Sequence, residues 1–479
     1  LLGDVKKSSK EVEDYDKEIS TFGLEYASKL NKKYKKDLFY FVYRKRIYNE
    51  SENGYLGYER KRGAILQFNR ILLNKLSKKD LKKYFNVNTL ENTSLKIKYV
   101  ITLDTDTEPV LNSILNLVGC MAHPLNRPIL NKEETKVVKG YALMQPRIST
   151  DIESTNRSLY SQIFAGIGGF DTYTSSIPNI YQDLFKEGRF VGKGIYDLDV
   201  FDKLLYERFP DNLILSHDLL EGSYLRCAYV SDIEFIDEFP SKFLVDTSRQ
   251  HRWARGDVQI LDYMFPKVKN YKGEKEVNPT NPLERFKIFD NVVRMFLSLT
   301  LFLIVLLNIT ICKNKLIWFI YILLIIAFSI VSFLKSKLYL KDNKFKTVYY
   351  KNLMFGGKAI LLRAYVIFAT IPYYTKLYLD AFIRSIYRMK ISHKNLLNWI
   401  TAEEVAKTAK FDLKTYCFNF SINLITGLIL LIVSILTKNI SMFIVGLIFI
   451  SAPFVTYLIS KDLKKEKKLN SKEDAVIED

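Results

Sequence analysis

Cysteine is scarce in this chain and nowhere clustered: Cys120, Cys227, Cys312 and Cys417 are scattered over 479 residues. No C-x-x-C pair occurs, so neither a disulfide framework nor a thiol-based metal site is expected, and reduced structural thiols suit a cytoplasmic and membrane setting. Zinc-finger spacing and an aromatic RNA-binding signature are both missing, so the formal net charge of +19 does not point to nucleic acid. Much of that charge flanks apolar runs, where basic residues meet anionic headgroups, so the expected partner is a lipid bilayer. There is no internal repeat. The chain opens Leu1-Leu2-Gly3-Asp4, with no initiator Met and no signal peptide, and reads as a piece of a longer polypeptide with further domains on both sides.

What is abundant is unevenly placed, and the near-zero mean hydropathy averages two regimes. Residues 1–290 read as a soluble α/β domain; residues 291–460 read as a membrane region. Four apolar runs, 295–312, 316–334, 418–437 and 440–460, are each long enough at roughly 18 to 21 residues to cross a bilayer. A fifth, 364–375, carries Pro372 between Arg363 and Lys376 and suits an interfacial or re-entrant helix. With that segment not crossing, the basic stretch 335–417 and the Lys-rich tail 461–479, read as disordered, fall on the same side as the large domain. The positive-inside rule makes that side the cytoplasm.

Within the first 290 residues, apolar strands alternate with amphipathic helices: a strand at 38–43, a helix at 64–76, a strand at 99–103, a helix at 110–121 and a strand at 141–146 stopped by Pro146. This alternation predicts a Rossmann-like, mostly parallel sheet.

Four clusters could carry chemistry. In Tyr99-Val100-Ile101-Thr102-Leu103-Asp104-Thr105-Asp106-Thr107 a β-branched run ends in two carboxylates, which can share a hard divalent cation or simply cap a turn. Gly192-Lys193-Gly194 fails the phosphate-loop pattern, since no Ser or Thr follows the lysine; it suits either a close backbone approach to a ligand or a plain turn. Asp218 and Glu221, in Leu215-Ser216-His217-Asp218-Leu219-Leu220-Glu221-Gly222, are either site carboxylates or ordinary caps of a helix N-terminus. Arg249-Gln250-His251-Arg252-Trp253 suits a diphosphate clamp with a sugar-stacking ring, or an interfacial basic face.

In this order, and followed by membrane spans, these clusters resemble processive family 2 type glycosyltransferases with a GT-A fold. The wording is closer still to the glycosyltransferase domain of cyclic β-1,2-glucan synthases. Gly57-Tyr58-Glu59-Arg60-Lys61-Arg62-Gly63, Ala122-His123-Pro124-Leu125-Asn126-Arg127-Pro128 and Leu396-Leu397-Asn398-Trp399-Ile400-Thr401-Ala402 carry the same resemblance. It implies an α/β GT-A-like cytoplasmic domain whose first nucleotide-binding strand lies just upstream of Leu1, and a multi-pass location in a bacterial inner membrane. Asp104 and Asp106 would hold Mg²⁺ or Mn²⁺ against the diphosphate of UDP-glucose, and Asp218 would be the general base. Arg252 and Trp253 would lie near diphosphate and acceptor, Lys61 near the uridine diphosphate and Asp4 near uracil. Gly192, Lys193 and Glu221 complete the expected substrate contacts. Arg249 replaces the Gln of the family's Q-x-x-R-W motif, with Gln250 one position on.

The implied reaction is inverting transfer from UDP-glucose to a growing β-1,2-glucan. Another processive β-glycan synthase is the nearest alternative. Two others come from different classes: Asp104-Thr105-Asp106-Thr107 also satisfies the D-x-D-x-T of haloacid-dehalogenase-type phosphatases, and a non-catalytic membrane platform is the third reading.

Overall fold

The computed structural model describes residues 1–90, 96–165, 179–312 and 346–463. Two sheets carry the first half of the chain. In the smaller, β1 (Leu2–Gly3) pairs in parallel with β2 (Val42–Arg44), which pairs antiparallel with β3 (Phe85–Asn88). Helix α1 (Asp14–Tyr34) precedes β2, and α2 (Arg60–Leu72) follows it.

The larger sheet holds β4 (Tyr99–Thr102), β5 (Thr107–Pro109), β6 (Leu143–Thr150), β7 (Gly194–Asp197) and β8 (Cys227–Asp237) in the order β4-β7-β6-β8-β5. Only β6 and β8 pair in parallel; the other three pairings are antiparallel. The expected mostly parallel sheet is therefore corrected to a mixed one. Apolar runs report that a strand is buried, but its direction depends on the connection before it. The strand expected to stop at Pro146 instead continues to Thr150. Its pairing with β8 shifts register between Pro146 and Arg147, an irregularity that accommodates a residue with no N–H to donate.

Both faces of this sheet are covered. Leu143, Tyr196 and Cys227 pack on one side with Phe201, Leu220 and Tyr224. Their neighbours Met144, Ile195 and Ala228 pack on the other with Leu117 and Met121 of α3 (Ser113–Ala122). That is the period-two alternation of a strand buried on both faces. The carboxyl end of β4 is left open, and Asp104 emerges there.

Beyond α4 (Asp218–Leu225) and α5 (Phe243–Gln259) the chain becomes helical. Helix α6 (Pro282–Leu307) starts with Asn281 as cap, Pro282 in its first turn and Glu284 completing a capping box. Its first half packs on the domain through Ile288, and its later turns are apolar. Among the described residues two helical stretches, Pro282–Ile311 and Ile440–Ile459, are long and apolar enough to cross a membrane; the second is α11, after α7 (Lys346–Ala369), α8 (Ile371–Tyr387), α9 (Leu413–Asn419) and α10 (Ser421–Thr437). The run expected at 418–437 falls on α9 and α10, a pair bent by 70° at Phe420, and the run expected at 316–334 lies outside the described residues. The 364–375 segment is the break between α7 and α8, where Ile371 shares a cluster with Val305, Leu430 and Phe449 from apolar helices.

Candidate active site

Four elements deliver polar side chains to the open end of β4. Asp104 follows that strand, and Lys61 comes from the first turn of α2. The Lys61 ammonium donates to Asp104 Oδ1 at 2.6 Å and to the Gly192 carbonyl at 3.3 Å. Lys193 Nζ lies 3.5 Å from Asp104 Oδ2 and is also ion-paired with Asp237, at the end of β8. Asp237 in turn accepts from the Thr107 hydroxyl at 2.7 Å. Burial pushes the Asp104 carboxyl up, but Lys61 and then Lys193 outweigh it and hold the group below the usual carboxylate range. Asp106 is exposed.

Asp218 opens α4 directly across from Gly192. Gly192 sits at φ +90°, and a Cβ placed there would fall 2.8 Å from Asp218 Oδ1, so only glycine lets the backbone pass this close. About a quarter of the Asp218 side chain (26%) remains accessible. Burial is the main force raising its pKa; His217 and Lys61 oppose it, while Glu221 and Asp104 add to it. Glu221 is buried, its Oε1 2.7 Å from His217 Nδ1.

Ligand atoms of His217, Asp218 and Glu221 lie within 4.8 Å of one another. A metal there would need a neutral imidazole. Burial pushes His217 down, but Glu221 and Asp218 together raise it, which favours an imidazolium–carboxylate pair instead. Asp104 and Asp106, in the turn between β4 and β5, offer carboxylate oxygens of the kind a hard cation takes, and Asp104 is ion-paired with Lys61 and Lys193.

Helix α5 supplies a neighbouring wall. Asp246, buried, accepts from Tyr160 at 2.7 Å, Arg249 at 2.6 Å and Gln250 at 2.7 Å. The Arg249 guanidinium thus braced lies 4.7 Å from the centre of the half-exposed Trp253 ring. Gln250 faces α8, accepting from the Tyr378 hydroxyl at 3.0 Å. The residue that replaces the motif glutamine therefore supports the tryptophan, and the shifted glutamine ties the domain to the helical region.

Arg252 lies 4.4 Å from the Trp399 ring centre, and Arg60 lies 5.8 Å from it. Burial, and then Arg249, lower the Arg252 pKa to about 10, while Asp104 and Asp218 oppose the fall. The irregular segment around Trp399 is clamped through its backbone: the Asn395 amide donates to the Ser51 carbonyl at 2.8 Å, the Leu397 amide to Glu52 Oε1 at 2.7 Å, and the Asn398 carbonyl accepts from Arg255 at 2.9 Å.

The fold thus brings together Lys61, Asp104, Gly192, Lys193 and Asp218, with Arg252 on the neighbouring wall. Asp4 is one link removed: Arg44 donates to it at 2.8 Å and to the Arg60 carbonyl at 3.0 Å, at the start of α2. Sequence reasoning missed Asp237, His217 and Trp399 as participants. Asp237 was detectable as an acid ending a β-branched strand, and Trp399 as one of only three tryptophans.

No protein-family model matches the chain. It is similar over its whole length to the cyclic beta-(1,2)-glucan synthase NdvB of Rhizobium meliloti (strain 1021), with 30% identity over 495 aligned residues. The chain spans 17% of the length of that protein.

Proposed function

We propose that this chain, related throughout to a segment of a glucan synthase, is a membrane-bound inverting glycosyltransferase that extends a β-1,2-glucan from UDP-glucose. One observation carries the reading: Lys61 bridges Asp104 to the Gly192 carbonyl, and Gly192 abuts Asp218, so an anion-binding group and an accessible carboxylate base share one cleft.

In this reading residues 1–290 form a cytoplasmic GT-A-type domain and residues 291–460 a membrane region with 364–375 re-entrant, followed by the tail 461–479. UDP-glucose lies with its diphosphate against Lys61 and Lys193 and its uracil toward Asp4. Asp104 and Asp106 would hold Mg²⁺ or Mn²⁺, which would supply charge neutralisation to the departing diphosphate. Asp218 removes the acceptor hydroxyl proton as that oxygen attacks the anomeric carbon from the face opposite UDP, and the configuration inverts. The lysines stabilise the charge that grows on the leaving diphosphate. Trp253, stiffened by Arg249, presents an aromatic face to the acceptor sugar.

The test is UDP release from UDP-glucose with Mn²⁺, followed by linkage analysis of the product. Asp218→Asn is expected to abolish release. Phosphate release from a phosphomonoester that depends on Asp104 would favour the phosphatase reading, and a product with another linkage would favour a different β-glycan synthase.

A further inference from the structure

Behind the accessible Asp218 lies a buried pair that the transfer reaction does not itself call upon. His217 is the residue before α4, and its ring is nearly inaccessible (4% exposed), as is Glu221 (2%) one turn into the helix. Nδ1 of His217 lies 2.7 Å from Glu221 Oε1 and 3.7 Å from Asp218 Oδ1, so one ring nitrogen faces both carboxylates. The i,i+4 spacing and the 3.0 Å bond from the Glu221 amide to the His217 carbonyl place the two residues on one face of the first turn of α4.

We propose that His217 and Glu221 are positioning residues: a buried imidazolium–carboxylate pair that sets a fixed positive charge behind Asp218 and aims its carboxylate across Gly192. The proposal rests on the reading of Asp218 as general base and deepens it. Three observations support it. Burial raises the Asp218 pKa, and His217 is the first of the charges that oppose the rise. Glu221 is buried against the imidazole, its Oε1 2.7 Å from Nδ1. Asp218 Oδ1 has no hydrogen-bond donor among the described residues, so the charge 3.7 Å behind it, rather than a bond, is what acts on that oxygen.

Other charges face the same groups. Lys61 from α2 and Arg252 from α5 favour the Asp218 carboxylate, and Asp104 at the end of β4 disfavours it. Lys61 opposes a charge on His217, and Tyr196 of β7 lies within electrostatic reach of Glu221. Lys61 and Arg252 remain in a His217 variant, so Asp218 should lose part of its support and not all of it. The sign follows: without the imidazolium, Asp218 ionises at higher pH, and the acid limb of the pH–rate profile moves upward.

The experiment measures UDP release by the full chain in membranes from pH 5.5 to 9.5, with UDP-glucose and a β-glucan oligosaccharide acceptor, for parent, His217→Gln, Glu221→Gln and Asp218→Asn. For His217→Gln the acid limb is expected to move up by about one pH unit, so that the deficit relative to parent grows as pH falls and approaches about tenfold below the limb. Glu221→Gln should move the limb the same way by less, because the charge that keeps His217 protonated is removed together with one that opposes Asp218 ionisation. It also gives the readout if His217→Gln does not fold. A deficit constant across pH in both variants, or no deficit, overturns the pair's role while leaving the base assignment intact if Asp218→Asn is inactive. An active Asp218→Asn overturns the base assignment and the pair's role with it.

Discussion

The Lys61 ammonium donates to the Asp104 carboxylate at 2.6 Å, joining the first turn of α2 to the carboxyl end of β4. Both side chains keep about a third of their surface in solvent (35% and 37%), so the pair is weakly stabilising, at ~0–1 kcal/mol. Its value lies in charge placement. Lys61→Met is expected to leave the melting temperature nearly unchanged and to lower kcat/KM for UDP-glucose about 100-fold. Asp104 would lose its largest depressing charge, so the small stability it contributes, present above its unfolded pKa and lost as pH falls through the lowered folded value, would disappear at a higher pH. Thermal melts at pH 3 to 7 beside steady-state kinetics check both halves.

Gly192 offers a sharper separation of shape from charge. Alanine there must hold φ +90° and put its Cβ 2.8 Å from Asp218 Oδ1. Gly192→Ala is expected to cost about 1–3 kcal/mol through backbone strain and to lower kcat further by displacing Asp218, with substrate affinity less affected. An alanine variant with parental kcat would show that this approach does not matter.

Trp399 lies near two guanidinium groups, Arg252 at 4.4 Å and Arg60 at 5.8 Å. Each such contact is worth about 0.5–1 kcal/mol at a partly exposed site. Trp399→Ala is expected to loosen Arg252 and raise KM for both donor and acceptor, while Trp399→Phe, which keeps an aromatic face, should recover most of the loss. Equal defects in the two variants would contradict the stacking account.

In the helical region, Gly427 of α10 and Gly446 of α11 lie so close that a Cβ on Gly446 would meet the Gly427 carbonyl oxygen at 2.9 Å. Small residues facing one another let two apolar helices approach at backbone distance. Gly446→Leu is expected to destabilise the detergent-solubilised protein by about 1–3 kcal/mol through overpacking, read as a lower melting temperature.

The amino-acid pattern exposed the parts of this molecule that local chemistry governs. Asp104 sits where a β-branched run ends, and Asp218 begins a helix, because a strand terminus and an N-terminal turn are both local events. The apolar runs at 295–312 and 440–460 fall on helices for the same reason. Strand direction could not be read: Gly194–Asp197 is short and apolar whichever way it runs, and its antiparallel pairing with Tyr99–Thr102 is set by the tertiary path. Pro146 misled because a strand interior tolerates proline at a register shift. Glu221, a substrate contact implied by the resemblance, is buried with its Oε1 2.7 Å from His217 Nδ1, a pairing set by the first turn of α4. Trp399 was recognisable as part of a motif, but its contact with Arg252 spans 147 positions of chain and leaves no mark in local spacing.

The central claim is that Asp218 takes a proton from an acceptor hydroxyl while UDP leaves against Lys61 and Lys193. The most direct measurement is UDP release from UDP-glucose by parent and Asp218→Asn in the presence of a β-glucan acceptor, with UDP affinity measured on the same preparations. The account predicts that Asp218→Asn binds UDP as the parent does and releases essentially none in turnover. Turnover at the parental rate by Asp218→Asn would contradict it.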